Sequence, residues 1–403
     1  MITIQGKCAN INIMSDVVDL PTMSDLYKMA NNESFHEPIV IMPDVHAGKG
    51  AVIGFTMPLR DSVIPNIVGV DIGCGVMATR IKNTHIDFRD LDLFLRDQIP
   101  MGQKVNGEAV FDLEYDFDYR AFQCIINQFL NLFYSRYDNI IRKTVKIDYD
   151  WVVKRIIGVN GNVGYVEKSV LSLGGGNHYL SIEENINGNR LFVVHTGSRN
   201  FGLLTAEYWQ NIAISKNKAS DKTLAPLHGE DFLNYMLDML LAQYLAHLNR
   251  VYITNKACEY LEIDENHDRI ESVHNFIDPS DWIVRKGAIR NYPGEIGVIP
   301  LNMRDGLLLF EGNGNKDWNF SCPHGAGRVY SRSKAKEKLD FHQFQKDMEG
   351  IYCSTLGEDV LDESPRAYKD KEVIINALIS DCGITKLEHY KTIYVAKSGK
   401  VRM

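Results

Sequence analysis

The chain has 403 residues, 45% apolar and 24% charged, which is the balance of a folded soluble protein with one large or two ordinary domains. A net charge of −8 argues against a general affinity for nucleic acid, so a polyanion would need a local basic surface. The start of the sequence lacks a signal-peptide pattern, and no apolar run reaches the ~20 residues of a membrane span. Seven cysteines without a repeating spacing argue against a disulfide framework and favour a cytoplasmic location.

The first half of the chain predicts strands and then helices. Short strands separated by glycine turns are predicted over 38–42, 51–57 and 76–81. From about 86 to 155 the periodicity becomes helical, and it is clearest over 119–143. We expect no second domain to begin here, because no linker separates the strand-rich segment from the helical one.

The second half opens with a predicted β-hairpin over 179–195, which closes on the turn dipeptide Asn187-Gly188. A second mainly helical segment covers 203–262 and contains a long helix at 230–261. The methionines and aromatic residues of 232–251 are assigned to the core. Further strands are predicted over 282–290, 296–300 and 307–312. Helices are predicted to follow near 331–347 and 370–381. Because strands and helices do not alternate regularly, the predicted fold class is α+β.

Two basic stretches could form the local surface that a polyanion needs. Residues 328–338 have the sequence "RVYSRSKAKEK", and residues 284–290 have the sequence "VRKGAIR". Considered alone, they are more simply explained as a solvated helix face and an exposed strand.

The residues that carry chemistry lie in glycine-rich turns. Asp71 and Cys74 stand three apart in "GVDIGCGV" (69–76), and Asp44 lies in "MPDVHAGKG" (42–50). Five histidines have this small-residue environment, namely His46, His178, His195, His274 and His324. The others lie in helical or polar contexts and are interpreted as structural or surface residues, namely His36, His85, His228, His247, His267, His342 and His389.

Small neighbours let a metal ion or a phosphate approach the backbone at a strand end. Each residue alone has a simpler explanation, as a turn histidine or a buried thiol, and "GGG" (174–176) lacks the lysine of a phosphate-binding loop. Together, one aspartate, one cysteine and several histidines supply enough N, O and S donors for one or two transition-metal ions.

The order of these motifs resembles that of the RtcB family of RNA-splicing ligases from about residue 38 to the C-terminus. The shared motifs are "MPDVHAGKG", "GVDIGCGV", "LGGGNHYL", "HTGSRNFG", "HNF", "RKGA", "CPHGAGRVYSRSKAK" and "ESPRAYKD". The resemblance implies a single large α+β catalytic domain over 1–403. Mixed and antiparallel sheets with flanking helices would surround a central metal site.

The resemblance also implies two manganese ions that share a bridging cysteine thiolate. Its metal ligands correspond here to Asp71, Cys74, His178, His195 and His274. Histidine and cysteine donors generally bind Zn²⁺ more tightly than Mn²⁺, so zinc is an expected competitor.

By the same resemblance, His324 is the histidine that attacks the α-phosphate of GTP and expels pyrophosphate. The GMP then passes to an RNA 3′-phosphate, and a 5′-hydroxyl displaces it to join the two RNA ends. A 2′,3′-cyclic phosphate end is first opened by water. The role would be tRNA splicing or RNA repair, and the sequence leaves open both the RNA joined and any need for an activating accessory protein.

The nucleotide-binding residues that the resemblance implies are Asn177, His274, Asn275, Asn302, His324, Gly325, Ala326, Gly327 and Lys397. The last three residues of "HGAG" are expected to offer free backbone N–H groups to the attacked phosphate. Asp44, Arg199 and Arg328 are expected to order the site or bind RNA phosphates. Beside such a histidine, the basic stretch 328–338 is interpreted as part of an RNA track with salt-sensitive affinity.

The chain departs from the family pattern around the nucleotide base. Ser181 stands where a glutamate is common, Asn302 of "PLNMR" (300–304) stands where a serine is common, and Leu307 fills a second serine position. Loss of a carboxylate that accepts from a base edge could relax the choice of guanine. Two alternatives therefore stay open beside the ligase: a metal-dependent 2′,3′-cyclic phosphodiesterase, and a non-catalytic RNA-binding relative.

Overall fold

The computed structural model describes residues 1–82, 85–137, 140–217, 221–261 and 269–402, so His267 and parts of the two predicted helical segments lie outside it. The strands are β1 (Ile2–Gln5), β2 (Asn10–Ile13), β3 (Ile39–His46), β4 (Ile53–Pro58), β5 (Ser62–Val63), β6 (Gly75–Ile81), β7 (Tyr179–Asn185), β8 (Arg190–Thr196), β9 (Leu227–His228), β10 (Arg269–Val273), β11 (Asn275–Asp278), β12 (Ile283–Lys286), β13 (Ala288–Arg290), β14 (Ile296–Asn302), β15 (Gly306–Gly312), β16 (Ser321–Pro323) and β17 (Ile384–Ala396). The helices are α1 (Leu20–Ala30), α2 (Phe88–Gln98), α3 (Tyr119–Arg136), α4 (Tyr149–Gly158), α5 (Val163–Ser169), α6 (Arg199–Lys216), α7 (Gly229–Leu261), α8 (Arg332–Lys338), α9 (Phe341–Asp347) and α10 (Lys371–Ala377).

Two sheets position the rest of the molecule. The larger is a seven-stranded antiparallel sheet in the order β10-β6-β8-β7-β17-β15-β14. The other has six strands in the order β1-β2-β3-β4-β12-β11, and in it only β2 and β3 pair in parallel. The chain leaves the first sheet at β10 and enters the second at β11, so His274 lies at the junction between them.

Helix α7 supplies much of the core. Tyr235, Met236 and Met239 are fully buried, and the helix packs against α6 and β8. Helices α3 and α4 begin at aspartates whose carboxylates accept from the backbone N–H groups of the first turn, which fixes where each helix starts. Of the methionines and aromatic residues predicted to lie in the core, Phe232, Tyr235, Met236 and Met239 are buried, and Tyr244 is half-buried.

The α+β prediction is confirmed, and so are the hairpin and the long helix. Strands β7 and β8 are joined by a turn in which Gly188 has φ of 75°, a conformation that glycine adopts at little cost. The single strand predicted over 282–290 is wrong, because Gly287 at φ of 63° divides it into β12 and β13, which pair in different sheets. Strand β17 was not predicted.

The basic stretch 284–290 is not an exposed strand, and that interpretation is wrong. Arg285 is 0% exposed and pairs with Asp281 at 2.7 Å. Lys286 is buried and donates to the backbone carbonyl of Asn66 at 3.0 Å. Arg290 is neutralised by two carboxylates. These cations satisfy internal acceptors and do not offer a basic surface.

In the described residues, every helix is too short or too polar to cross a membrane. All seven cysteines fall within this part of the chain, and no disulfide links them there.

Candidate active site

Four neighbouring strands of the seven-stranded sheet bring their ends to one edge. In the strand register, Val273 faces Gly75, Gly75 faces Thr196, and His195 faces Tyr179. Adjacent strands lie ~4.8 Å apart, so residues at these ends are close together. The residues at or next to this edge are His274, Cys74, His195 and His178.

Two glycines allow the Asp-x-x-Cys turn to close. Gly73 has φ of 72°, and a Cβ added there would lie 2.7 Å from the Cα of Gln243. A Cβ at Gly197 would lie 2.1 Å from Oδ1 of Asp71. The glycine-rich sequence therefore lets the carboxylate of Asp71 and the thiol of Cys74 share one side of a tight turn.

The five predicted metal ligands converge. The Cys74 sulfur lies 3.3 Å from Nε2 of His178 and 3.4 Å from Nε2 of His195. The same His178 nitrogen lies 3.0 Å from Oδ2 of Asp71. The rings of His195 and His274 have centroids 5.2 Å apart. Their common location fits the prediction, and their role as ligands remains a proposal.

Burial sets the protonation of this cluster. It lowers the pKa of His195 and His274 well below the ordinary value, so both rings are neutral and present lone pairs. Burial, followed by the charge of Asp71, raises the pKa of the Cys74 thiol well above its usual value. Burial also acts to raise the pKa of Asp71, but the adjoining His178 ring holds it below the ordinary range.

The donor set fits a transition-metal ion. Ligand atoms of Cys74, His178 and His195 all lie within 4.8 Å of one another. Thiolate and imidazole donors suit a transition metal, whereas Ca²⁺ and Mg²⁺ prefer all-oxygen sites. Nε2 of His178 faces the cluster, whereas its buried Nδ1 lies against Gly174 and has no hydrogen-bond partner among the described residues.

His324 follows β16 directly and lies beside the cluster. Its ring centroid is 4.8 Å from that of His274. Asp44 fixes the ring, because its Oδ2 is 2.5 Å from Nδ1 and accepts the backbone N–H of His324 at 3.0 Å. The same oxygen accepts the N–H of Gly325 at 3.2 Å. That N–H is therefore engaged, and the expectation that it is free for a phosphate is wrong.

A cavity of about 310 Å³ joins the metal cluster to His324. It is within the size range of small-molecule sites. Burial and the neighbouring His324 ring lower the pKa of His46, which also lines the cavity, to about 4. The predicted nucleotide and phosphate residues that line it are Asn177, His274, Asn275, Asn302, Gly325, Ala326, Gly327, Arg328 and Lys397.

Two predicted nucleotide contacts use their amides to hold the backbone. Asn275 donates to the carbonyl of Asp71 at 3.1 Å and accepts from the N–H of Gly287 at 3.0 Å. Oδ1 of Asn302 accepts from two N–H groups of its own turn. Arg199 is likewise engaged, with Ser172 and a backbone carbonyl, so it orders a loop.

Glu363 is a buried carboxylate that sequence reasoning missed. It pairs with Lys397 at 3.0 Å and with Arg328 at 3.2 Å. Burial acts to raise its pKa, but Lys397 and then the neighbouring arginines lower it to about 2. The Lys397 ammonium also lies 5.7 Å from the ring centroid of Tyr179. Two of the predicted phosphate-binding cations are thus held in place by one anion.

Glu183 was also missed. It lies on β7, is 2% exposed and lines the cavity. Ser181, which occupies the position where the family resemblance expects a glutamate, donates its hydroxyl to Oε1 of Glu183 at 2.7 Å. Burial raises the pKa of this carboxyl to about 7, although hydrogen bonds from Ser181 and Thr392 act to lower it. The signal available in the sequence was the period of two, which places residues 181 and 183 on one face.

We expect Glu183→Gln to stabilise the protein above neutral pH. The folded pKa of about 7 exceeds the ordinary 4.5, so the folded state loses stability as pH rises from about 4.5 through 7. The neutral amide removes this loss, which amounts to about 2–3 kcal/mol at pH 8 and under about 1 kcal/mol at pH 5. Urea unfolding at both pH values measures it. Glu184→Gln, on the opposite strand face, is the control, and an equal gain at both pH values contradicts the prediction.

Comparison with known proteins agrees with this geometry. The family model described as "tRNA-splicing ligase RtcB" matches residues 25–398. The RNA-splicing ligase RtcB of Escherichia coli K12 is 27% identical over 89% of this chain and 90% of its own length. The tRNA-splicing ligases RtcB of Nanoarchaeum equitans and Aeropyrum pernix are 28% and 26% identical, over 87% and 82% of this chain and 85% and 82% of their own. A match across nearly the whole chain shows that the chain belongs to the RtcB family, and the Asp-x-x-Cys turn and His324 lie in one cavity.

Proposed function

We propose that the protein joins RNA 3′-phosphate or 2′,3′-cyclic phosphate ends to 5′-hydroxyl ends, with GTP as the activating nucleotide. One observation carries the proposal: His324, oriented by Asp44, shares a cavity with the convergent metal cluster. The predicted site spans Asp44 to Lys397 and draws on both sheets, which supports one catalytic domain.

The first step is attack by His324 on the α-phosphate of GTP. Asp44 accepts a hydrogen bond from Nδ1–H and keeps the proton on that nitrogen, so Nε2 carries the lone pair that attacks. A P–N bond forms, the bond to pyrophosphate breaks, and pyrophosphate leaves. Fixing the ring in advance removes the orientation cost from this step.

In the second step the histidine is the leaving group, and in the third step GMP is the leaving group. An oxygen of the RNA 3′-phosphate attacks the phosphorus on His324, the P–N bond breaks, and the imidazole regains its free nitrogen. The 5′-hydroxyl of the other RNA then attacks the activated 3′-phosphorus and displaces GMP. Lys397 and Arg328, held by Glu363, are placed to bind phosphate oxygens in the same cavity.

Asp71, Cys74, His178, His195 and His274 would hold two Mn²⁺ ions. Bound there, the cations supply positive charge to the phosphoryl oxygens. Zinc remains a competitor because of the thiolate and imidazole donors. Helix α8 exposes Lys334, Lys336 and Lys338 beside the cavity residue Arg332, which supports an RNA track along this helix. We place the reaction in the cytoplasm, in tRNA splicing or RNA repair.

The test incubates the protein with Mn²⁺ and α-labelled GTP or ATP, and follows covalent label. A histidine phosphoramidate is expected to be labile in acid and stable in base. In parallel, two RNA oligonucleotides, one ending in a 3′-phosphate and one beginning with a 5′-hydroxyl, are assayed for joining.

The outcomes separate the candidate functions. Label from a nucleotide together with joined RNA supports the ligase. Opening of cyclic ends without label from any nucleotide supports the phosphodiesterase. RNA binding with neither reaction supports a non-catalytic relative, and label without joining shows that the assumed RNA ends are wrong.

A further inference from the structure

Arg250 is a fully buried arginine of helix α7 that does not line the cavity. Its Nη1 donates to the backbone carbonyl of Gly73 at 2.9 Å and to that of Thr196 at 2.7 Å. Its Nε donates to Oε1 of Glu271 at 2.6 Å. One side chain therefore ties together three segments that are distant from one another in the sequence.

The three partners of Arg250 each adjoin a predicted metal ligand. The first carbonyl belongs to the peptide bond that precedes Cys74, and the second comes from the residue that follows His195. The carboxylate lies on β10, which ends at the residue before His274. The guanidinium is thus bonded to the backbone or the strand that carries three of the five predicted ligands.

The surrounding contacts hold the guanidinium in one place. Oε2 of Glu271 lies 2.8 Å from Nδ1 of His247, so the carboxylate is held through both of its oxygens. A Cβ added at Gly75 would lie 3.3 Å from Cζ of Arg250, so the guanidinium packs directly against the residue that follows Cys74. A shift of this side chain would therefore be transmitted to the backbone at the ligands.

We propose that Arg250 is a positioning residue that sets the spacing of the metal ligands. This inference rests on the metal site of the proposed ligase. A guanidinium has no lone pair to offer a cation, so Arg250 acts through two backbone carbonyls and Glu271 and is not itself a ligand.

The geometry of arginine is suited to this role. Its planar fork reaches the carboxylate through Nε and the two carbonyls through Nη1. A lysine carries its charge on a single nitrogen, which cannot reproduce contacts made from two separate nitrogens. Arg250→Lys therefore keeps a positive charge beside Glu271 and removes the fixed spacing, so it separates positioning from charge.

Calorimetric titration of the full chain with Mn²⁺ tests the inference without requiring catalysis. We expect Arg250→Lys to bind Mn²⁺ about 10- to 100-fold more weakly than the wild type, which is the usual effect of losing a group that orients a ligand. Co²⁺ in place of Mn²⁺ provides a second measurement. The absorption of its bond to a thiolate should change in Arg250→Lys, because it depends on the coordination geometry.

Arg155→Lys is the matched control. Arg155 also pairs with a carboxylate of helix α7, that of Asp238 at 2.6 Å, which lies about 18 Å along the helix from Arg250. Its replacement should lower the urea midpoint of the metal-free chain, as Arg250→Lys does. It should leave the Mn²⁺ affinity within about twofold of the wild type, because distant sites act independently.

The comparison shows whether Arg250 acts on the ligands or only on the fold. A wild-type Mn²⁺ affinity and Co²⁺ spectrum in a folded Arg250→Lys overturn the inference. An equal loss of affinity in Arg155→Lys also overturns it, since the effect would then follow stability. A wild type that binds neither ion does the same.

Glu271→Gln decides the question if Arg250→Lys does not fold. It keeps the arginine and removes the charge that orients it, so the Mn²⁺ affinity should fall by about tenfold, and an unchanged affinity overturns the inference. Weaker binding in Arg250→Lys, together with a wild type that takes no label from GTP, supports the role of Arg250 and contradicts the ligase proposal.

Discussion

His324→Ala should abolish covalent labelling by GTP and RNA joining, a loss of at least about 10⁴-fold that reaches the background. The variant loses the nucleophile that Asp44 orients in the cavity, and alanine leaves the candidate metal cluster untouched. Mn²⁺ binding should therefore persist. Filter assays with α-labelled GTP, and gels of joined RNA, measure the two losses.

Asp44→Asn provides a graded test of the same histidine. The carboxylate accepts from Nδ1 and from two backbone N–H groups, and an amide cannot hold the ring tautomer in the same way. We expect the labelling rate to fall by about 10²- to 10⁴-fold while adduct formation remains detectable. An intermediate loss of this size would show that Asp44 acts by positioning the ring of His324.

His342→Ala, on the exposed face of α9, is the control for both variants and should retain wild-type rates. Label that survives in His324→Ala with unchanged acid lability would show that another residue carries the nucleotide. The proposed first step would then be wrong.

The members of the candidate metal cluster can be recognised in the sequence because strand ends are a local property. Small residues and a reactive side chain after an apolar run mark a turn at a sheet edge, and the sheet order then brings four such turns together. The hairpin and helix α7 are predictable for the same reason, since their periodicity and turn residues lie within one segment. The convergence itself depends on which strands are neighbours, which no local pattern contains.

The rest depends on the long-range environment of each side chain. Arg285 and Lys286 look like surface cations, yet they are buried because Asp281 and backbone carbonyls from distant loops satisfy them. Glu183 and Glu184 are consecutive, and only the register of β7 against β17 shows which one enters the cavity. The polar residues that alternate along β17 do not by themselves specify a strand. Pairing with β7 and β15 makes this segment a strand of the larger sheet.

Cys74→Ala should weaken Mn²⁺ binding by at least about 100-fold, because losses of 10–100-fold already follow from removing groups that only support a ligand. The thiol lies within 3.4 Å of ring nitrogens on both His178 and His195, so its loss removes the donor between the two imidazoles. Labelling by GTP should fall with it. Titration calorimetry on the wild type and the variant gives the affinities.

The protons released on metal binding provide an independent measurement. Burial and Asp71 raise the pKa of the Cys74 thiol well above its ordinary value, so the metal-free chain holds this proton at neutral pH. A cation that binds the thiolate must displace it, and Mn²⁺ affinity should then rise about tenfold per pH unit in the wild type. Cys74→Ala should lose that slope, whereas Cys124→Ala, on the exposed face of α3, should keep it. If Cys74→Ala kept both the Mn²⁺ affinity and its dependence on pH, the thiolate would not be a metal ligand. The proposal of two cations bridged by this thiolate would then be wrong.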